Sequence, residues 1–486
     1  MVEAQNKIKQ RLKEFKVLEG DSFSVLFDRQ TYNIKIISKE PAAKLSSLIE
    51  AVDQIPDQDM IWQEIEDILN YFTDVDVSIP QTIQGIEESK KNESSAEAKS
   101  LREELPPQKY LNKLAINVSN ACNLRCAYCY ANQGVYGNPN EFLMSVADVE
   151  LAVRRFAEKF DYIEHIQFMG GEPSLNPKAL AKTVEIFREM TDKGAFKAMP
   201  TFGMVSNGVS FTKEFWQVIK EHNMSITFSL DGPKEVHDAQ RIDTGGKGSF
   251  DRVVANIHQL KEEGLNYDFE ATYSRAHLNY GMTLSGLCQW FYETFNLRVL
   301  HAPIMFAGSG DAQAMALTSE EQIQALCDVT QWGLGNLLKD QYLMHGFTNR
   351  LLENFLNKHR AGRICPAGSG VLTVTAKGDV CPCWMFADEE PFYMGNINKD
   401  DFLSVRAAAV LQTMDQYDLL TDPNCQACWI QPLCFGCKGN DWLSTKAINV
   451  HPACDSMRKM TEVFLSTFSN VLFEFAKRKQ LINKKK

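Results

Sequence analysis

The placement of thirteen cysteines constrains this chain more than any other feature. None precedes Cys122. Cys122, Cys126 and Cys129 stand together in C-N-L-R-C-A-Y-C-Y, only Cys288 and Cys327 follow before Cys365, and eight crowd between Cys365 and Cys454. An odd count, in a chain whose first sixteen residues lack the apolar core of a secretory signal, argues against a disulfide framework and for metal or redox chemistry. We therefore expect a cytoplasmic protein with two separate cysteine sites.

The chain has 486 residues, enough for two to four domains. Lys plus Arg is 51 against 62 for Asp plus Glu, a formal net charge of −11 that offers no basic surplus for a nucleic-acid backbone or an anionic membrane. No stretch approaches the roughly 20 apolar residues of a membrane span. We expect neither nucleic acid nor membrane as a partner.

Strand-like runs at Phe23 to Phe27 and Tyr32 to Ile37, followed by helix-like runs at Ala42 to Val52 and Ile61 to Tyr71, describe a small α+β unit over residues 1–84. Residues 85–108 are rich in Glu, Lys, Ser, Asn and Ala and end in Pro106-Pro107, the composition of a solvated linker or of a surface helix. From Leu114 onward strands near 113–118, 163–168, 199–206, 224–230, 267–273 and 297–305 alternate with helices near 144–160, 175–192, 211–222, 249–263 and 279–296. Six βα alternations predict a parallel sheet with chemistry at its C-terminal edge. A helical bridge at 319–360 and a cysteine-rich region at 361–486 complete the order, so the barrel-like unit spans 109–318.

Cys122, Cys126 and Cys129 directly follow the first predicted strand. Three thiolates on one loop suit a four-iron cluster with one iron left open, whereas zinc would need a fourth ligand from elsewhere. C-x-x-x-C-x-x-C followed by an aromatic residue, at the end of the first strand of a (βα)6 pattern, resembles the radical S-adenosylmethionine (SAM) superfamily. The resemblance implies a partial (βα)6 TIM-like barrel. It also implies a [4Fe–4S] cluster whose open iron chelates S-adenosylmethionine, and reductive cleavage to a 5′-deoxyadenosyl radical. Met169-Gly170-Gly171-Glu172-Pro173 is similar to the family's G-G-E-P motif, which contacts the cofactor's amino group. Ser229-Leu230-Asp231-Gly232-Pro233, running into Arg241, is similar to the S-x-D-G-P segment of peptide-modifying members. By that resemblance Ser229 meets the cofactor's ribose or carboxylate and Arg241 its carboxylate, while Asp231 is a candidate acid/base facing the substrate. Each also has a plain reading as a strand end or turn.

Cys365, Gly378 and Cys383 give C-x12-G-x4-C, and Cys425, Cys428, Cys434, Cys437 and Cys454 give C-x2-C-x5-C-x2-C and a final cysteine. Zinc ribbons would permit such spacing. The combination resembles the SPASM extension, which carries two auxiliary [4Fe–4S] clusters, although that family places three residues, not two, before its last close cysteine. Position by position, Cys425, Cys428, Cys434 and Cys454 correspond to a fully ligated second auxiliary cluster, and Cys365, Cys383 and Cys437 to the first. Cys381 either completes the first cluster or is a core thiol that leaves it open. Cys288 and Cys327 read as core residues of apolar helices.

The order and size of the first unit resemble the winged-helix-like leader-recognition module of enzymes that modify ribosomally made peptides. A plain structural cap is the other reading. The leading expectation is a radical SAM oxidoreductase that binds a precursor peptide by its leader and installs Cys sulfur-to-carbon thioethers. It would use three [4Fe–4S] clusters and an electron donor such as flavodoxin or ferredoxin. Formylglycine formation in a sulfatase and carbon–carbon crosslinking are the alternatives within the superfamily. A non-catalytic zinc-ribbon adaptor is the alternative outside it.

Overall fold

Alternating burial along strands and 3.6-residue apolar stripes along helices build the fold seen in the computed structural model, which describes residues 2–20, 24–54, 96–138, 140–305, 310–359 and 362–483. The first unit comprises helix α1 (Val2–Lys13), strands β1 (Phe15–Leu18), β2 (Ser24–Asp28) and β3 (Ile34–Ile37), and α2 (Lys39–Glu50). The strands form an antiparallel sheet in the order β1-β2-β3. Its central strand is buried on both faces. Leu26 packs with Leu12, Ala42 and Leu45 of α1 and α2, while Phe27 and Tyr32 join the main core. The two strands and first helix expected here are present, with α1 and β1 in addition. The helix expected at Ile61 to Tyr71 lies outside the described residues.

The stretch expected as a solvated linker is, over its described part, a helix, α3 (Ala96–Glu104). It buries Ala98 and is tied to the barrel by Arg102, which donates to Glu164 at 2.7 Å. The surface-helix reading holds for this part.

The main sheet runs β13-β12-β4-β6-β7-β8-β9, with β5 (Phe142–Leu143) pairing β4. Its members are β4 (Tyr110–Asn120), β6 (Tyr162–Gly170), β7 (Thr201–Ser206), β8 (Ser225–Ser229), β9 (Tyr267–Glu270), β12 (Val371–Val374) and β13 (Val380–Cys381). Strands β4, β6, β7, β8 and β9 are parallel neighbours, as the βα alternation requires. Helices α4 (Val146–Lys159), α5 (Pro177–Asp192), α6 (Lys213–Glu221), α7 (Lys234–Gln240), α8 (Phe250–Glu262), α9 (Arg275–Asn279) and α10 (Leu284–Phe295) provide the crossovers. Each start is legible where a side chain caps it. Ser145 accepts from Asp148 N, Thr212 from Phe215 N and Thr283 from Gly286 N, satisfying amides that the helix leaves orphaned. On β4 the outward residues Leu114, Ile116 and Val118 are fully buried against helices such as α4, which contributes Val149, Val153 and Phe156.

Two features depart from the sequence expectation. The sixth strand, expected over 297–305, shortens to β10 (Val299–Leu300), which pairs β11 (Met344–His345) and reaches β9's continuation only through single bridges at Glu270–His301 and Tyr273–Ile304. The opposite edge gains β12 and β13 from the cysteine-rich region. Val371 to Val374 pair in parallel with Lys113 to Ile116, so that region extends the catalytic sheet.

The bridge forms α11 (Ser319–Leu337), opened by a reciprocal Thr318–Glu321 cap, and α12 (Gly346–Leu356). The C-terminal region adds α13 (Val405–Gln416), α14 (Pro423–Ala427), α15 (Lys438–Thr445) and the long α16 (Cys454–Asn483), which packs along α11 and touches β2. Among the described residues no helix is long and apolar enough to cross a membrane.

Two fully buried histidines make the fold acid-sensitive. The Nδ1 of His345 accepts from Phe347 N at 3.2 Å while its Nε2 lies 2.9 Å from Ala302 O, and His237 is enclosed beside Asp231 and Ser249. Burial lowers both rings to about 4. The unfolded chain takes up protons near pH 6.5 and the native state only near 4, so stability falls as pH drops through that window. Between pH 7 and pH 5 each histidine should cost roughly 2 kcal/mol by denaturant titration. His345→Gln should flatten the slope by at most about a third, because burial depresses other histidines, His165 among them, in the same way, and an unchanged slope in that variant would contradict the assignment.

Candidate active site and cysteine sets

At the C-terminal end of β4 the chain turns out of the sheet and presents Cys122, Cys126 and Cys129 on one loop, all partly accessible. The Cys122 thiol feels the charges of the other two. Glycines hold the loop against β6. Gly170 has φ +134, and a methyl there would meet Ser119 O at 2.3 Å; one at Gly134, φ +90, would meet Gly171 Cα at 2.6 Å and Cys122 Cβ at 2.7 Å. Gly171 N donates to Ser119 O at 2.7 Å and Glu172 N to Ala121 O at 2.9 Å, locking the two strand ends together.

The surroundings of these thiols suit metal-bound thiolates. Leu124 N points at Cys122 Sγ at 3.4 Å and Asn207 Nδ2 at 3.7 Å, and the positive charge of Arg241 acts on the Cys126 thiol. Burial, with Glu172 adding, pushes the Cys122 thiol up to about 12. Burial also raises Cys126 to about 11, against the opposing charge of Arg241. A metal centre removes that cost by taking the proton's place. Asn123 Nδ2 is also buried there without a partner.

The carboxylate of Glu172 is buried at the strand end. It is 1 % exposed; Oε1 accepts from Ser174 N at 3.0 Å and Ser206 Oγ at 2.8 Å, and Oε2 from Asn207 N at 2.7 Å. Glu172 thereby braces the ends of β6 and β7. The Gly170–Gly171 backbone at the same strand end is what an ammonium could reach.

Asp231 is likewise committed. Completely buried, it accepts from Arg241 Nε at 2.8 Å, Arg241 Nη2 at 3.2 Å, Tyr128 Oη at 2.6 Å and Thr272 N at 2.9 Å. Burial alone would raise its carboxyl; Arg241 outweighs this and holds it below the ordinary carboxylate range. Both oxygens of this ionised carboxylate are already engaged in the network. Arg241 also lies over the Tyr128 ring at 5.3 Å, so the network fixes the Cys126–Cys129 loop to β8. Ser229 ends β8, half-buried, on the inner face of the sheet.

The later cysteines separate into two groups. Cys383 couples electrostatically to Cys437, Cys381 and Cys365, and Cys437 to Cys365. Cys434 couples to Cys428, Cys454 and Cys425. Asn440 N points at Cys437 Sγ at 3.4 Å, and the charge of Arg458 on α16 interacts with Cys428 and Cys454. Among the described residues no three His, Cys, Asp or Glu side chains converge closely enough to hold a single metal ion. Cys381 is completely buried on β13, with its thiol toward Cys383 O at 3.3 Å and Thr373 O at 3.8 Å. Cys288 is buried in α10 and Cys327 half-buried in α11.

The inner face of the sheet carries residues that the motifs did not flag. Pairing places Lys113, His165 and Thr201 level across β4, β6 and β7, with Glu270 on β9. Lys113 lies 6.0 Å over Trp384, the residue after Cys383, and burial lowers its ammonium while Glu270 opposes this. His165 Nδ1 is 2.8 Å from Thr201 Oγ1, and burial takes the ring to about 4. Polar residues at alternate positions of otherwise apolar parallel strands were the available signal, since such strands ordinarily read as continuous apolar runs.

A parallel partial barrel with three thiols at its catalytic edge, joined to a cysteine-rich region, defines a class. Residues 116–285 match the radical SAM superfamily and residues 365–429 match SPASM, an iron–sulfur cluster-binding domain, so the chain carries both domains. These are domains of S-adenosylmethionine and iron–sulfur cofactors, and the chain is an enzyme of that family. Among its relatives, the cysteine-type anaerobic sulfatase-maturating enzyme of Clostridium novyi (strain NT) is 23% identical over 377 residues, covering 75% of this chain and 97% of that protein. The structure of anSMEcpe with bound AdoMet and Cp18Cys peptide superposes with TM-score 0.61 at 19% identity, covering 75% of this chain and 99% of that one. Streptococcus suis SuiB bound to precursor peptide SuiA superposes with TM-score 0.51 at 14% identity, covering 90% and 97%. The last two likenesses are likenesses of fold.

Proposed function

We propose that this chain is a peptide maturase that forms a sulfur-to-carbon thioether in a cysteine-containing precursor. The observation behind the reading is the first auxiliary group: Cys383 lies with Cys437, Cys381 and Cys365, and within it the Cys381 thiol is turned onto backbone carbonyls. Three cysteines leave one ligand position for a substrate thiol. S-adenosylmethionine with its cluster would supply, when bound, a 5′-deoxyadenosyl radical to take one hydrogen atom from the acceptor residue; the substrate thiol would give up its proton as the S–C bond forms, and the auxiliary cluster would take the one remaining electron. The protein's part is placement and exclusion of water.

In this reading Cys122, Cys126 and Cys129 hold the cofactor's [4Fe–4S] cluster. Cys425, Cys428, Cys434 and Cys454 hold a second auxiliary cluster, making three in all. Gly170 and Gly171 offer backbone to the cofactor's ammonium, Ser229 its hydroxyl, and Arg241 any donor not spent on Asp231. The sheet β1-β2-β3 takes the precursor's leader, a role suited to an edge strand that adds partners through main-chain hydrogen bonds. Flavodoxin or ferredoxin supplies the electron.

The relative that matures sulfatases favours a second reading, oxidation of a Cys or Ser to formylglycine. Against it stands Asp231, the acid/base candidate, which is already bonded on both oxygens. The deciding experiment incubates the reconstituted enzyme with reductant, S-adenosylmethionine and candidate precursors. Loss of two hydrogens, with one thiol made unreactive to alkylation, is the expected product. An aldehyde trapped by hydrazine would replace the thioether reading with the second.

A further inference from the structure

A buried carboxylate and a buried ammonium join the segments that carry the first auxiliary group. Asp418 is 4 % exposed and Lys438 1 %. Oδ1 of Asp418 accepts from Ile364 N at 2.5 Å and Leu419 N at 2.9 Å; its Oδ2 accepts from Lys438 Nζ at 3.2 Å, which also donates to Met414 O. Ile364 immediately precedes Cys365, and Lys438 immediately follows Cys437. One side-chain pair thus spans from the backbone beside one cysteine to the residue beside another.

Burying such a pair is expensive, and an apolar pair of similar volume is often as stable, so stability is a poor account of its presence. Its geometry is a better one. Cys365 lies in an irregular segment and Cys437 caps α15, so neither is placed by an extended helix or strand. We propose that Asp418 and Lys438 form a latch that sets Cys365 and Cys437 at the separation the first auxiliary cluster needs. The latch rests on reading Cys365, Cys383 and Cys437 as that cluster's ligands. Both residues are positioning residues: they act through the cysteines and touch no substrate.

The test uses the full chain, reconstituted anaerobically, with iron and sulfide counted alongside denaturant stability. Asp418→Asn/Lys438→Met removes both charges at near-constant volume. It should fold with stability close to the parent and lose about four of about twelve irons, together with the corresponding reduced-state paramagnetic signal. Lys438→Gln, which keeps a donor of shorter reach, should lose part of the same iron and serves if the double variant does not fold. A full iron complement with the parent's signal in either variant overturns the latch. Cys365→Ala/Cys383→Ala/Cys437→Ala separates the two readings. Retention of all iron there refutes the ligand assignment, whereas loss there with retention in the latch variants refutes the latch alone.

Discussion

Replacing Cys122, Cys126 and Cys129 together by alanine should bring 5′-deoxyadenosine formation to background, a fall of about a thousandfold or more, while about eight of about twelve irons remain. The size of the effect follows from chemistry that no side chain can substitute. Its selectivity follows from architecture: the triad sits on the loop after β4, whereas the other cysteines group within residues 365–454. Iron counting and deoxyadenosine assay on one preparation check both halves. Deoxyadenosine at the parent's rate would move the cofactor elsewhere; loss of all iron would mean that the three groups assemble as one.

The second large effect is expected at Asp231. Asp231→Asn leaves Arg241 buried opposite a neutral amide, and breaking a buried pair by removing one partner costs on the order of 3–5 kcal/mol. Because Tyr128 and Arg241 hold the Cys126–Cys129 loop through this carboxylate, deoxyadenosine formation should fall as well. Asp231→Asn/Arg241→Met should recover much of the stability and little of the turnover. If Asp231 instead transferred a proton to or from the peptide, its single variant would still make deoxyadenosine at the parent's rate and fail only in product. Measuring deoxyadenosine and modified peptide in parallel distinguishes these outcomes.

These networks show where sequence reading succeeds. The cysteine loop, the Gly170–Gly171 turn and the strand ends at Ser229 and Ser206 were legible because motif and βα alternation coincide. The protein partners of Glu172 and Asp231 were not. A carboxylate after a strand reads the same whether it faces a ligand or a neighbouring strand's amides, and only the approach of Ser206, Asn207 and Arg241 decides. At the sheet edges, Val371–Val374 is four residues long and Val380–Cys381 two, too short to carry a period. Their strand character comes from pairing, β12 with β4 and β13 with β12. The expected strand at 297–305 failed for the converse reason: its apolar residues are buried, yet only isolated bridges hold it to β9.

The pairing of β4 with β12 also bears on how the protein is made. Some 250 residues separate Lys113 from its partner Val371 in the chain. During synthesis the strand leading into the cysteine triad therefore lacks its neighbour on that side until most of the polypeptide has emerged. Such long-range pairing is slow, and a waiting apolar edge invites association with other chains. The cysteine-rich region is thus expected to be required in cis for a soluble barrel, so that cutting the gene between the two matched families would divide one folding unit.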